Sequence, residues 1–176
     1  MWQGVEVAIV FELVVNFGRN AEAADRAAEV VRRRGPLHVG NRAIELHEPL
    51  RAVVDGDIEL SVIPAGVGVN VVLDGDLPHV ELTADELSEL ARGLYEVLAQ
   101  FDGYRAAAVD WDPESLVECT DLEGDYGDQL VEGFPHGLVV AEAVRRGLSV
   151  EAAQHFERFA AGFEWIPYRG HGYGTY

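Results

Sequence analysis

Residues 5–36 read VEVAIVFELVVNFGRNAEAADRAAEVVRRRGP and place a strand pattern directly before a helix pattern. Every odd position from Val5 to Val15 is apolar, whereas the even positions hold Glu6, Ala8, Val10, Glu12 and Val14. A period of two is typical of a strand. The pattern predicts a long strand that is well covered on one face and partly covered on the other.

The helix that follows is predicted from its cap, its apolar stripe and its end. Asn20 is a favoured N-cap residue, and Gly35-Pro36 is a favoured helix end. The stripe recurs at helical spacing and consists of Ala24, Ala27, Ala28 and Val31. Small side chains on one face predict close packing on a sheet.

Further elements are predicted along the middle of the chain. An Asp55-Gly56 turn predicts a hairpin within a strand meander, with a next strand over Val67–Leu73. Thr83 and Glu86 form a capping box before an amphipathic helix that extends to Gly103. Residues 104–111, YRAAAVDW, predict a buried strand.

The C-terminal part is predicted to be irregular at first and then helical. The segment Asp112–His136 lacks a regular pattern, and two helices are predicted over Leu138–Arg146 and Ser149–Ala161. Phe163, Trp165, Ile166 and Tyr168 predict a short closing strand that docks the tail, with fraying from Gly170 to Tyr176.

These elements predict an α+β fold with a mostly antiparallel sheet packed by two long helices, a C-terminal helical pair and a short closing strand. A length of 176 residues suits a single domain over 1–176. A small C-terminal helical subdomain over 136–176 is an alternative division.

Negative charge dominates the later part of the chain. The 13 basic residues are all arginine, and 31 acidic residues bring the formal net charge to -18 at pH 7. Ten acids and no base lie between Arg105 and Arg145. Such a field repels phosphate backbones and attracts basic proteins, so nucleic-acid binding is not expected. A solvated surface that keeps the protein soluble is the simpler explanation of the same charges.

The remaining composition predicts a cytoplasmic protein. Cys119 is the sole cysteine, which excludes an internal disulfide and fits a reducing compartment. The opening MWQGVEVAIVFELVV has no basic region, and Glu6 and Glu12 interrupt its apolar run, so we expect neither a signal peptide nor a membrane span.

Candidate metal sites are weak. In residues 121–132, DLEGDYGDQLVE, acids occupy several positions of a calcium loop, but Tyr126 stands where glycine is needed. Glu151 and His155 are spaced for a zinc site that His136 or His171 could complete, although a surface helix pair explains them more simply. The sequence therefore predicts no metal site and no cofactor.

Catalytic patterns are equally unspecific. Asp110, Asp112 and Glu114 could supply the carboxylate pair of a glycoside hydrolase, but proximity in sequence does not establish the required separation. No serine lies in a GxSxG elbow. The sequence therefore assigns no catalytic residue.

An acidic segment interleaved with rings is the best candidate for a binding surface. The strand over residues 104–111 is expected to deliver the first of these residues to an edge of the sheet. Charges steer encounter and aromatic rings supply hot spots in protein interfaces, although the rings could also pin the segment to its own domain. The predicted partner-binding residues are Asp110, Trp111, Asp112, Glu114, Asp121, Glu123, Asp125, Tyr126 and Asp128.

The order of elements from Val5 to Glu114 resembles the cytoplasmic immunity proteins of bacterial polymorphic-toxin systems. The resemblance rests on the Phe17-Gly18-Arg19 turn between strand and alanine-rich helix, on the meander and amphipathic helix, and on the run from Asp110 to Glu114. It implies a small acidic inhibitor that occludes a toxin and performs no chemistry.

The leading hypothesis is thus an acidic binding protein that neutralises a basic protein partner. The alternative is an enzyme of unassigned type, hydrolase-like or metal-dependent, that uses acidic residues near Asp110 and a C-terminal histidine.

Overall fold

The structure is a computed structural model that describes residues 8–118 and 122–171, except for the side chain of Asp125. The strands are β1 (Ile9–Asn16), β2 (Leu37–Val39), β3 (Arg42–Ile44), β4 (Leu50–Val54), β5 (Asp57–Val62), β6 (Gly68–Val69), β7 (Ala106–Trp111), β8 (Val139–Ala141), β9 (Glu157–Ala160) and β10 (Phe163–Trp165). The α-helices are α1 (Ala21–Arg33), α2 (Ala84–Leu98), α3 (Leu122–Asp125), α4 (Gly127–Val131), α5 (Glu142–Arg145) and α6 (Val150–Ala153). Two 3-10 helices are η1 (Val72–Asp74) and η2 (Glu114–Val117).

A large antiparallel sheet organises the fold, as the sequence predicts. Its strands lie in the order β4-β5-β1-β7-β8-β10-β9, and β6 pairs with the start of β1. Strand β1 is central, because it pairs antiparallel with β5 on one side and with β7 on the other. Strands β2 and β3 form a separate two-stranded sheet. The α+β class is confirmed.

Both faces of the sheet carry a hydrophobic cluster. Leu13 and Val15 of β1 belong to a first cluster that α1 and α2 cover, whereas Val14 belongs to a second cluster. Successive side chains of a strand point to opposite faces, so β1 contributes to both. The second cluster is completed by residues from η2, α3, α4 and α6. The segment Asp112–His136 is therefore less irregular than predicted, because its described residues include the short helices η2, α3 and α4.

The two longer helices begin at the predicted caps. The Asn20 side chain accepts a hydrogen bond from the backbone N–H of Ala23 at the start of α1. At the start of α2, the Glu86 N–H donates to Thr83 Oγ1 at 3.2 Å, and the Thr83 N–H donates to Glu86 Oε2 at 2.9 Å. This pair is the predicted capping box. Helix α2 ends at Leu98, several residues before the predicted end at Gly103.

Replacing Thr83 with alanine is expected to lower the free energy of unfolding by about 1 kcal/mol, because one N-terminal N–H of α2 loses its acceptor. Thr83→Ser keeps a hydroxyl and serves as the matched control. Urea unfolding measures both variants. Equal stability of Thr83→Ala and the parent would contradict the assigned cap.

The predicted C-terminal helical pair is wrong. Residues Leu138–Arg146 contain β8 and the short α5, and residues Ser149–Ala161 contain only the four-residue α6 before β9. Phenylalanines at 156, 159 and 163 have helical spacing, but Phe156 lies in the second hydrophobic cluster and Phe163 in the first. A left-handed Gly162, with φ of 82°, supports the turn between β9 and β10.

The strand predicted over Val67–Leu73 is also largely wrong. Only β6 forms there, since Gly68 (φ 143°) and Asn70 (φ 55°) adopt left-handed conformations that interrupt an extended chain. Val72 is 91% exposed in η1. The predicted Asp55-Gly56 hairpin does form, between β4 and β5.

The C-terminal tail docks through β10 and the residues that follow it. Phe163 stacks on Tyr104 with ring centroids 3.8 Å apart, and Ile166 is buried. The His171 N–H donates to Ser88 Oγ of α2 at 2.8 Å, so the predicted fraying is wrong for His171. Residues 172–176 lie outside the described part of the chain. None of the helices in that described part has both the length and the hydropathy that a membrane span requires.

Candidate acidic site

The C-terminal end of β7 positions the first predicted site residues. Strand β7 lies inside the sheet between β1 and β8, but its last residues, which include Asp110 and Trp111, pair with one strand only. Within β7, only Ala106 and Ala107 pair with β8, and the later residues pair with β1 alone. Asp110 pairs opposite Glu12 in the register, but its carboxylate lies 3.5 Å from Nε2 of His171.

Asp112 is fixed against the start of β1. Its backbone N–H donates to the Val10 carbonyl at 2.9 Å, and its Oδ1 accepts from the Val10 N–H at 2.8 Å. The residue has φ of 46°, a left-handed conformation that aspartate tolerates better than most residues. This turn ends the strand and leads through Pro113 into η2.

Helix η2 returns over β1 and brings a third carboxylate to the site. Carboxylate oxygens of Glu12, Asp112 and Glu114 all lie within 4.8 Å of one another. Glu12 is buried, whereas Asp112 and Glu114 are exposed. We call these three residues the carboxylate cluster.

Glu12 is an unusual residue for the interior of a sheet. Only 3% of it is exposed, and its Oε2 atom has no hydrogen-bond partner among the described residues. Burial is the largest of the causes that raise the pKa of its carboxyl to about 7. A hydrogen bond from Ser61 opposes this shift, and three nearby carboxylates add to it, those of Glu114, Asp112 and Glu59.

Glu59 of β5 is a second buried acid on this side of β1. It is 5% exposed, and burial raises the pKa of its carboxyl to about 7. The nearby Glu118, Glu114 and Asp57 raise the pKa further. Two acids of the sheet therefore face carboxylates from η2 and the residue after it.

Few cations compensate this negative charge. Arg105 Nη1 lies 3.2 Å from Asp57 Oδ2, and Asn16 donates to the same oxygen. Within residues 8–118 and 122–171, no arginine or histidine forms an ion pair with Glu12, Glu59, Asp112 or Glu114. Uncompensated buried carboxylates are costly, so the site favours any positive ligand that reaches them.

Comparison of the chain with protein-family models, curated proteins and solved structures found no match.

The other predicted site residues lie around η2, α3 and α4. The hydroxyls of Ser115 and Tyr126 are 2.8 Å apart and join η2 to the turn between α3 and α4. Asp128 is exposed in the first turn of α4, and Glu123 accepts the backbone N–H of Ser149. Trp111 packs edge-on against Phe11. Asp121 and the side chain of Asp125 lie outside the described part of the chain.

The weaker metal candidates have other contacts. Residues 122–131 form the short helices α3 and α4 instead of a twelve-residue calcium loop. His155 Nε2 lies 2.8 Å from the Val131 carbonyl, and His171 Nδ1 lies 3.0 Å from the Tyr168 hydroxyl. Each histidine thus has a local hydrogen-bond partner.

Sequence reasoning missed Glu12 and Glu59 as site residues. Both stand on strands among apolar neighbours, and an acid in the middle of such a run was the available signal. Which face of β1 is covered, however, depends on η2, about 100 residues further along the chain.

Proposed function

We propose that the protein is an immunity-type binding protein that neutralises a basic protein partner. The surface that carries this proposal, the acidic face, comprises Asp110, Asp112, Glu114, Glu123 and Asp128 with Tyr126. Apart from Asp110, these acids form no ion pair with a described arginine or histidine. This uncompensated charge is the observation on which the proposal chiefly rests.

Charge of this kind favours association with a basic protein. An unpaired negative patch steers a positive partner and accelerates encounter, while nucleic acids and anionic membranes are repelled. The resemblance to immunity proteins adds that the partner is a toxin whose working surface is occluded. No chemistry is required of the inhibitor.

Apolar contacts for a partner come from the helices beside the acids. Val131 of α4 is 44% exposed and Val150 of α6 is 82% exposed, and α4 contacts α6. Trp111 is half-buried against Phe11 and offers only part of its ring. The ring lies against the first hydrophobic cluster, on the other face of the sheet from α4 and α6. We therefore propose that the two valines, with the exposed part of Tyr126, form the apolar centre of the interface.

The test uses the product of the neighbouring reading frame as the probe, purified with its own activity removed by mutation. We expect a one-to-one complex with the present protein by calorimetry. Its dissociation constant is expected to rise about tenfold between 50 and 300 mM NaCl, because screening weakens charge pairing.

A matched pair of double variants locates the surface. Asp128→Asn with Glu132→Gln removes two charges at α4, whereas Asp76→Asn with Glu81→Gln removes two exposed charges between η1 and α2. We expect about tenfold weaker binding for the first pair and less than twofold for the second. Equal effects, or a neighbouring protein that is not basic and does not bind, would contradict the proposal.

A second candidate is an enzyme that uses Asp110 with a C-terminal histidine. The specific observation in its favour is the Asp110–His171 contact of 3.5 Å. The His171 ring also packs against Phe11, at 5.2 Å between centroids, and hydrogen-bonds Tyr168. His38→Gln, which alters an exposed histidine of β2, is the matched control. Turnover of a substrate that His171→Gln abolishes and His38→Gln retains would favour this candidate.

A further inference from the structure

The carboxylate cluster offers more than a general negative potential. Glu12 Oε2 is buried and has no hydrogen-bond partner among the described residues, although its carboxylate lies beside those of Asp112 and Glu114. Buried polar groups are normally satisfied, and an orphaned carboxylate oxygen is among the most costly exceptions. The arrangement therefore favours a positive ligand at Glu12 that the described residues do not supply.

The spacing of the three carboxylates fits one small ion. Calcium binds oxygen ligands at about 2.3–2.6 Å, so two ligands on opposite sides of the ion are about 5 Å apart and neighbouring ligands are closer. All three carboxylates present oxygens within 4.8 Å of one another. The three carboxylates are therefore close enough to share one ion.

We propose that Glu12, Asp112 and Glu114 bind one hard divalent cation, with Ca²⁺ as the best-fitting ion. All three proposed ligands are carboxylate oxygens, and none is a sulfur or an imidazole nitrogen. Oxygen ligands suit Ca²⁺, Mg²⁺ or Mn²⁺ rather than zinc or copper. Ca²⁺ tolerates irregular geometry and fits a site whose carboxylates come from two separate segments, whereas Mg²⁺ demands a regular octahedron. This site shares Asp112 and Glu114 with the acidic face, but a titration with the ion alone tests it without a protein partner.

The fold positions the ligands as a binding site requires. Glu12 lies in the central strand, and the two hydrogen bonds between Asp112 and Val10 hold the second ligand beside it. Pro113 and η2 then place Glu114 over β1. The ion enters from the solvent side, where Asp112 and Glu114 are exposed, and Glu12 forms the floor.

The cation would join two segments that are far apart in sequence. Glu12 belongs to β1, while Asp112 and Glu114 belong to the start of the segment that covers the second hydrophobic cluster. Binding would therefore hold η2 onto the sheet.

The test is calorimetric titration of the metal-free full-length protein with CaCl₂ in 150 mM NaCl, repeated with MgCl₂ and MnCl₂. We expect saturable binding of one Ca²⁺ with a dissociation constant of about 10⁻⁴ M, in the range of sites with few charged ligands. Thermal unfolding in CaCl₂ provides a second readout, because an ion that binds only the folded protein raises the midpoint.

Four variants decide whether the cluster is the site. Glu12→Gln, Asp112→Asn and Glu114→Gln are each expected to weaken Ca²⁺ binding at least about tenfold and to reduce the thermal shift. Glu59→Gln is the matched control, since it removes a neighbouring buried charge outside the cluster and is expected to change affinity less than about threefold.

The outcomes are distinct. If Glu12→Gln does not fold, Asp112→Asn and Glu114→Gln, which alter exposed side chains, still test the site. Weak Ca²⁺ binding that does not saturate and is equal in all four variants would indicate non-specific counterion attraction. That result would overturn the proposal. Absence of binding up to 10 mM of each ion, about a hundred times the expected constant, would overturn it as well. Neither result affects the test with the basic partner.

Discussion

Replacing Glu59 with glutamine is expected to stabilise the metal-free protein increasingly as the pH rises, by about 2 kcal/mol more at pH 8 than at pH 5.5. Burial, with the charges of three neighbouring acids, raises the pKa of the Glu59 carboxyl from 4.5 to about 7. Folding therefore favours the protonated form. In the parent, the protonated Glu59 carboxyl contributes its full stabilisation of the folded state below pH 4.5. This contribution is lost as the pH rises through 7, because the buried carboxyl then ionises. Glutamine does not ionise, so the stability of the variant lacks this loss.

Urea unfolding in the presence of a metal chelator measures this difference between pH 5.5 and pH 8. The whole pH range lies above the isoelectric point of about 4.5. Glu45→Gln is the matched control, because Glu45 is exposed and the same charge is removed from the surface. The control is expected to follow the parent within about 0.5 kcal/mol at every pH. Parallel profiles for Glu59→Gln and the parent would mean that Glu59 ionises without penalty in the folded protein.

Replacing Phe163 with alanine is expected to lower the free energy of unfolding by about 3–5 kcal/mol, the usual cost of deleting a buried ring. Phe163 is 8% exposed, stacks on Tyr104 and lies in the strand that joins β8 to β9. The substitution removes this contact and leaves a cavity in the first hydrophobic cluster.

Val72→Ala is the control for this experiment, since Val72 is 91% exposed and its loss is expected to change stability by less than about 0.5 kcal/mol. Chemical denaturation compares the two variants with the parent. A loss below 1 kcal/mol for Phe163→Ala would show that the C-terminal hairpin adds little to the core, contrary to its place in the main sheet.

Local chemistry made the first half of the fold predictable. Asn20, the Thr83–Glu86 box and the Asp55-Gly56 turn each act through backbone groups within a few residues, so their signals are complete in the sequence. The period of two in β1 was equally informative. These features predicted the central strand, both longer helices and the antiparallel sheet.

Tertiary pairing made the C-terminal part unpredictable. Phe156 and Phe163 have the spacing of a helical stripe, yet they lie in clusters on opposite sides of the sheet. The pairing of β10 with β8 fixes the position of Phe163 in the sheet. The sequence between residues 149 and 161 contains no signal that predicts this pairing. Short helices such as α3 and α6 likewise have too few residues for a periodic signal.

The candidate site was predictable only in its exposed half. Asp112 and Glu114 follow a predicted strand in an acidic segment, and the structure places them together. Glu12 looked like an ordinary break in an apolar run. Its burial becomes evident only once η2 covers that face of β1, because the contact spans about 100 residues of chain.

The account depends most on negative charge that is buried in the sheet and left without a cation by the described residues. Carbon-13 NMR of the glutamate carboxyl groups in the metal-free protein measures this directly as a function of pH. The account predicts that the pKa values of Glu12 and Glu59 are both near 7, well above the ordinary value of 4.5. Values of both groups near 4.5 would contradict it, since the site would then be open to water or already neutralised.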